Sequence, residues 1–113
     1  MIELTVLDYL KEALSVPVKM EMPANPPEKL VVLQKVASSR ENRLNKATIA
    51  ANSYAGSLYE AAELNELVKA AIDNMIELDA ISACRLNSDS NFTDTSTERY
   101  RYRCVYVITY LEV

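Results

Sequence analysis

The segment Ser57–Leu78, SLYEAAELNELVKAAIDNMIEL, decides how the rest of the chain must be arranged. Ser57 followed by Glu60 is an S-x-x-E capping box, in which two side chains satisfy backbone N–H groups that a helix start leaves without partners. Leu58, Ala61, Ala62, Leu64, Val68, Ala71, Ile72, Met75 and Ile76 recur at intervals of three and four, so they share one broad helix face. Glu60, Glu63, Glu66, Lys69, Asp73 and Glu77 cover most of the remainder. At ~1.5 Å per residue such a helix is a rod of roughly 33 Å. A rod with one apolar face needs a partner surface, and the flanking sequence changes to the alternation of strands. The spacing predicts a helix packed on a sheet.

Upstream, Asn45–Ala55 reads as a strand with Ile49, Ala51, Ser53 and Ala55 on one side and Thr48, Ala50, Asn52 and Tyr54 on the other. Its small residues let the helix approach closely, and Gly56 turns the chain into it. Ala37–Leu44 is polar and predicts a loop or hairpin tip. Lys29–Val36 predicts a strand whose Leu30-Val31-Val32-Leu33 centre, apolar on both faces, suits a central position. Pro23–Pro27 is a stiff connection. Val18–Met22 alternates, predicting a short strand with Val18, Met20 and Met22 inward. Leu4–Leu14 predicts a first helix, with Leu4, Leu7, Tyr9, Leu10, Ala13 and Leu14 on one face, a loose capping signal in Thr5 and Asp8, and a stop before Pro17.

Downstream, Ala80–Leu86 predicts a strand and Asn87–Ser96 a polar loop whose one aromatic residue is Phe92. Thr97–Val113 is the clearest strand, with Tyr100, Tyr102, Cys104, Tyr106, Ile108 and Tyr110 on one face and Arg99, Arg101, Arg103, Val105, Val107 and Thr109 on the other. It far exceeds the usual length of about five or six residues, so part of it is expected to project beyond its own sheet. The order α-β-β-β-α-β-β predicts an α+β fold, a mainly antiparallel sheet of about five strands with two helices on one side, as a single domain over residues 1–113.

Composition removes several function classes. Half the residues are hydrophobic, enough for a core without staples, and the net charge of −4 argues against free-standing nucleic-acid binding. There is no histidine and a single glycine, which removes the commonest general base and metal ligand and any glycine-rich phosphate loop. Cys84 and Cys104 fall on consecutive predicted strands and could face each other; buried free thiols are the simplest reading. Met1-Ile2-Glu3 lacks the basic start of a secretory leader, and no run approaches the ~18 apolar residues of a membrane span. Synthesis in a reducing cytoplasm is expected. Asp89, Asn91 and Asp94 gather oxygen ligands without the glycine turn and bidentate glutamate of a calcium loop. No catalytic, cofactor-binding or metal-binding residue is predicted. A carboxylate-only enzyme would need two of Glu60, Glu63, Asp73, Asp89 and Asp94 to converge in one pocket.

The candidate residues are those of an interface. Arg99, Arg101 and Arg103 form a basic ladder suited to an acidic partner or phosphate, or to blunting an exposed edge. Glu63, Glu66 and Asp73 offer a complement, on the same or a neighbouring copy. Arg40, Glu41 and Arg43 at the hairpin tip are either a soluble cap or an arm reaching a neighbouring subunit, and Phe92 is the apolar member of the set.

The order of several motifs carries a resemblance. A first helix precedes VPVKMEMP (Val16–Pro23), then PPEKLVVLQKV (Pro26–Val36), the SSRENR tip (Ser38–Arg43), ATIAANSYA (Ala47–Ala55) running into SLYEAAELNELVK (Ser57–Lys69), and NFTDT (Asn91–Thr95) leading to a final RYRY strand. Over nearly its full length the chain resembles the tail-terminator, or tail-completion, proteins of long-tailed bacteriophages and prophages. The resemblance implies a non-enzymatic virion protein without cofactor. It would sit at the head–tail junction after assembly in the host cytoplasm. It would cap the tail tube as a ring of itself, typically six copies, end tube polymerisation and present the head-tail joining surface. The implied partners are the tail tube protein and the head-tail connector, with DNA only in passive passage and no membrane. A head-completion or neck connector protein of the same virion is the nearest alternative, and a small host adaptor or regulator domain the next.

Overall fold

The structure is a computed structural model and describes residues 1–94 and 99–111. Its elements are α1 (Ile2–Ala13), β1 (Val18–Lys19), β2 (Leu30–Glu41), β3 (Leu44–Ala55), α2 (Leu58–Asn74), β4 (Ile81–Asn91) and β5 (Tyr100–Tyr110). The strands form one five-stranded sheet in the order β1-β2-β3-β5-β4, antiparallel throughout except for the parallel β1–β2 pair. The fold is α+β with two helices and a mainly antiparallel sheet, as the sequence predicts.

α2 packs on β3 and β5. Ala47, Ala51 and Ala55 are buried beneath it, so the small residues of β3 do admit the helix. Ser57 is its N-cap, and Ser57 Oγ accepts a hydrogen bond from Glu60 N at 3.2 Å; such a cap contributes about 1 kcal/mol. The α-helix ends at Asn74 rather than running to Leu78, and Met75–Glu77 tighten into a 3₁₀ turn. That turn serves carbonyls that a helix end leaves open: Leu78 N donates to Met75 O at 3.0 Å. Leu58 and Ile76, placed on the apolar face by spacing, are 40% and 49% exposed.

α1 lies on the same side of the sheet. It starts at Ile2, two residues earlier than spacing predicts, and its buried face keeps Leu7 and Leu10 of the predicted set and adds Ile2 and Val6. Leu4 is exposed, and Thr5 is no cap, since its hydroxyl donates back to Met1 O at 3.4 Å inside the helix. Val6, Leu10, Ile49, Val68, Ile72, Cys104, Tyr106 and Ile108 form the centre of the core between helices and sheet.

Several strands differ from their predicted bounds. β1 is cut to two residues, and Met20 and Met22 are exposed rather than inward. Beyond Lys19 the β1 ladder on β2 ends, and the prolines that follow lack a donor for it. β2 is central at Val31 and Val32, and beyond them its outer edge is open. It continues through Ala37–Glu41, read from sequence as loop, because the long strand β3 supplies a hydrogen-bonding ladder throughout. β4 likewise runs to Asn91, absorbing half of the predicted polar loop by pairing with β5. β5 is paired along its whole length with β3, from Tyr100–Ala55 to Tyr110–Asn45, so it does not project from the sheet. The remaining parts of the predicted loop and final strand, residues 95–98 and 112–113, lie outside the described residues.

The hairpin tip is a two-residue turn, Asn42-Arg43, between the paired residues Glu41 and Leu44. Both turn residues have positive φ, 51° and 67°, as a primed turn requires to match strand twist. Asparagine tolerates that region; arginine does so at a cost of about 1 kcal/mol that glycine would avoid. The chain's one glycine, Gly56, has no positive φ. We expect Arg43→Gly to stabilise the isolated protein by about 1 kcal/mol in urea unfolding, whereas Asn42→Val should destabilise it.

Candidate functional site

The sheet divides the candidate residues. Tyr106 points to α2, where its hydroxyl lies 2.8 Å from Asp73 Oδ1 and 3.2 Å from Lys69 O. Arg101 and Arg103 alternate with it along β5 and therefore lie on the opposite, open face. Glu63, Glu66 and Asp73 are on α2. The basic ladder and the acidic helix are thus separated by the sheet, and the predicted pairing cannot form within one copy.

On the open face the arginines stack with aromatic rings. Arg99 sits 5.2 Å from the Tyr54 ring centre, Arg101 5.6 Å from Tyr54 and 4.9 Å from Phe92, and Arg103 5.0 Å from Phe92. The result is an alternating ladder in the order Arg99, Tyr54, Arg101, Phe92, Arg103, each step worth about 0.5–1 kcal/mol where exposed. Arg101 donates from Nε to Phe92 O at 3.1 Å and from Nη1 to Tyr54 Oη at 3.0 Å. Arg99 donates to Pro27 O and Glu28 O at 3.1 and 3.3 Å, tying the proline connection to this end of the sheet. Rings, carbonyls and a hydroxyl thus hold Arg99 and Arg101, with Asp94 lining the same pocket, while Arg103 meets the Phe92 ring and its buried Nε has no hydrogen-bond partner among the described residues. Phe92 is held because Asn91 Oδ1 accepts from Thr93 N and Phe92 N donates to Arg101 O. Beyond Arg103 the open face continues as Val105, Val107 and Thr109 on β5, with Thr48 on β3 beside Val107, rimmed by Lys46 and Arg85.

On the helix side the acids form a notch. Tyr59, Ala62, Glu63, Asn65 and Glu66 of α2 face Asp89 of β4 and Tyr102 of β5 across a cleft of about 400 Å³. Lys69 bridges two of its acids, 3.0 Å from Glu66 Oε1 and 2.5 Å from Asp89 Oδ2. Hydrogen bonds that Lys69 donates to Asp89 and then Glu66 hold the lysine above its ordinary pKa. Asn65 is 2% exposed, and its Oδ1 has no hydrogen-bond partner among the described residues. Glu63 and Asp89, two of the carboxylates named for a carboxylate-only site, do share this cleft, with Asp89 ion-paired to Lys69. Asp73 stands apart, joined to Tyr106.

Arg40, Glu41 and Arg43 are exposed at the far end of the long axis of a molecule measuring 44 × 24 × 24 Å. Asn65 and Tyr54 were not among the sequence candidates. Asn65 sits within the helix's apolar stripe, where a polar residue is the available signal. Tyr54 pairs in register with Arg101, a relation visible only once β3 and β5 are aligned. No group of three or more candidate metal ligands occurs among the described residues. No helix among them is long and apolar enough to cross a membrane.

The cysteines do not face each other: Cys84 pairs with Ile108 and Cys104 with Asp89, four residues out of register along β5. Both are free thiols. Burial pushes the Cys104 thiol up to about 12, and burial also raises Cys84 and Tyr106, the latter with help from Asp73. The unfolded chain therefore releases these protons first, and stability present at neutral pH is lost as pH climbs from about 8.5 towards 12. We expect the urea midpoint to fall across that window and Cys104→Ala to flatten the decline. Cys104 should react with a thiol reagent at pH 8 only in denaturant. No protein-family model matches this chain, and neither does any curated protein.

Proposed function

We propose that this chain is a non-enzymatic virion protein that closes the head-proximal end of a long-tailed phage tail tube as a ring, ending tube growth and offering the surface that joins the head. The carrying observation is the separation of charge by the sheet. Arg101, Arg103, Lys46 and Arg85 lie on the open face, while Glu63, Glu66 and Asp73 lie on the helix that covers the other. A ring is a closed set of head-to-tail contacts, and each copy needs two different, mutually complementary surfaces. A molecule with unlike charge on its two faces has them. The order of motifs along the chain supports the tail-terminator family, for which six copies are typical. The ring's partners in this reading are the tail tube protein on one side and the head-tail connector on the other.

The overall charge of −4 agrees with a lumen that DNA traverses without readout. The arginine ladder also fits this reading better than it fits a base-stacking platform. Tyr54 and Phe92 already have guanidinium groups over their faces, so their rings are not free to stack on bases.

The test uses the purified protein with its cognate tail tube protein. Added during tube polymerisation, it should bind one end of each tube and shorten the length distribution by electron microscopy; its deletion should give overlong tails. Tubes of unchanged length with bare ends would overturn the reading. Binding to the portal-side adaptor in place of the tube would assign the chain to the neck.

A further inference from the structure

The notch between α2 and the β4–β5 pair is built almost wholly of acceptors and rings. Glu63, Glu66 and Asp89 supply carboxylates, Lys69 cancels one of those charges, and Tyr59 and Tyr102 supply aromatic walls. Its inner surface includes Asn65, buried with an unpartnered Oδ1. Leaving a buried carbonyl oxygen without a donor costs about 1–3 kcal/mol, so such an atom marks a place for a donor from elsewhere. A planar, cationic, multiply donating group fits this lining. A guanidinium can fork onto carboxylates and lie against tyrosine rings, which an ammonium does less well.

The same chain holds an arginine at a position chosen against backbone preference. Arg43 has φ of 67° in the Asn42-Arg43 turn, where glycine is the unstrained residue. Non-glycine residues in that region persist where the side chain is wanted. Arg43 is exposed at the hairpin tip, and it cannot reach the notch of its own copy. Along β3, the tip at Leu44 is separated from Ser53, the register partner of Tyr102, by about 30 Å at ~3.3 Å per residue.

We propose that the notch is a guanidinium receptor and that Arg43 from the hairpin tip of a second copy fills it. Donor and receptor lie at opposite ends of one molecule, so the contact is head-to-tail and repeats from copy to copy. This deepens the ring reading and rests on it for the closure of the repeat.

Two measurements test it. In titration of the labelled protein with ethylguanidinium, followed by NMR, the amide and side-chain signals of Glu63, Asn65, Glu66 and Tyr102 should shift, and Asn65→Leu should abolish the shifts. Absence of shifts in the wild type overturns the receptor. In sedimentation velocity and native mass spectrometry the wild type should associate with rising concentration. Arg43→Gly, which relieves the turn and keeps the fold, should weaken association about tenfold or more, as should the Glu63→Arg/Glu66→Arg double variant. Mixed together, these two variants retain one intact tip and one intact notch, so they should form a 1:1 complex and nothing larger. A wild type that is monomeric at every concentration, or an Arg43→Gly protein that associates like the wild type, overturns the second-copy assignment. If Arg43→Gly both associates and limits tube length normally, this inference falls and the tube-capping reading stands. If association depends on Arg43 and the notch while tube ends are ignored, the tube-capping reading falls and this one stands.

Discussion

The close seat of α2 on the alanines of β3 is the constraint on which the other features depend. Ala47, Ala51 and Ala55 allow the helix to lie against the sheet, and Leu64, Val68, Ala71, Ile72 and Met75 fill the space between them. Burial at roughly 25 cal/mol per Å² of apolar surface makes Leu64, Val68, Ile72 and Met75 worth about 1.5–3 kcal/mol each. Because β3 and β5 lie in the middle of the sheet, a helix seated on both fixes the register of strands two places away. A slip of one residue in β5 would bring the arginines beneath the helix and turn Cys104, Tyr106 and Ile108 to the open side.

Placing every apolar partner on one side leaves the other side of the sheet for function. An antiparallel sheet can expose one face if that face is polar enough. Here the exposed face carries its polarity as cations, while the helix covering the other face carries carboxylates. The polarity is not evenly fixed. Arg99 and Arg101 are held by rings and carbonyls and Arg103 by the Phe92 ring, whereas Glu63 and Glu66 rim an open cleft. Preformed cations lose little conformational entropy when a partner arrives.

Periodicity carried the centre of the fold and failed at its margins. α2, β3 and β5 were legible because each keeps a long, unbroken pattern. The outer halves of β2 and β4 were not, since Ser38, Ser39, Arg40, Ser88, Asp89 and Ser90 are poor strand formers by composition. They are strands because β3 and β5 offer backbone partners to the end, an instance of tertiary pairing overriding local preference. β1 fails for the opposite reason: its alternation persists to Met22 while its ladder stops at Lys19. At the candidate site, the arginine ladder could be read from β5 alone. Its rings could not, because the place of Phe92 depends on irregularities in β4 between Ile81 and Ala83 and between Leu86 and Ser88. Asn65 was hidden inside an apolar stripe that it interrupts.

The hairpin tip shows how stability and assembly can pull one residue in opposite directions. A monomer selected for stability alone would place glycine after Asn42, since a primed turn asks for positive φ at both positions. Arginine there gives up about 1 kcal/mol in the free chain. In the proposed contact that loss would be offset by charge-assisted hydrogen bonds from the guanidinium to carboxylates, which are roughly twice as strong as neutral ones. In the proposed ring the strain would act on the free protein and the contact on the assembled one, so the substitution that steadies the monomer would weaken the proposed contact between copies. A residue that merely blunts an exposed edge would not need this geometry, because Arg40 and Lys35 already carry charge on the adjoining strand β2 in ordinary extended backbone.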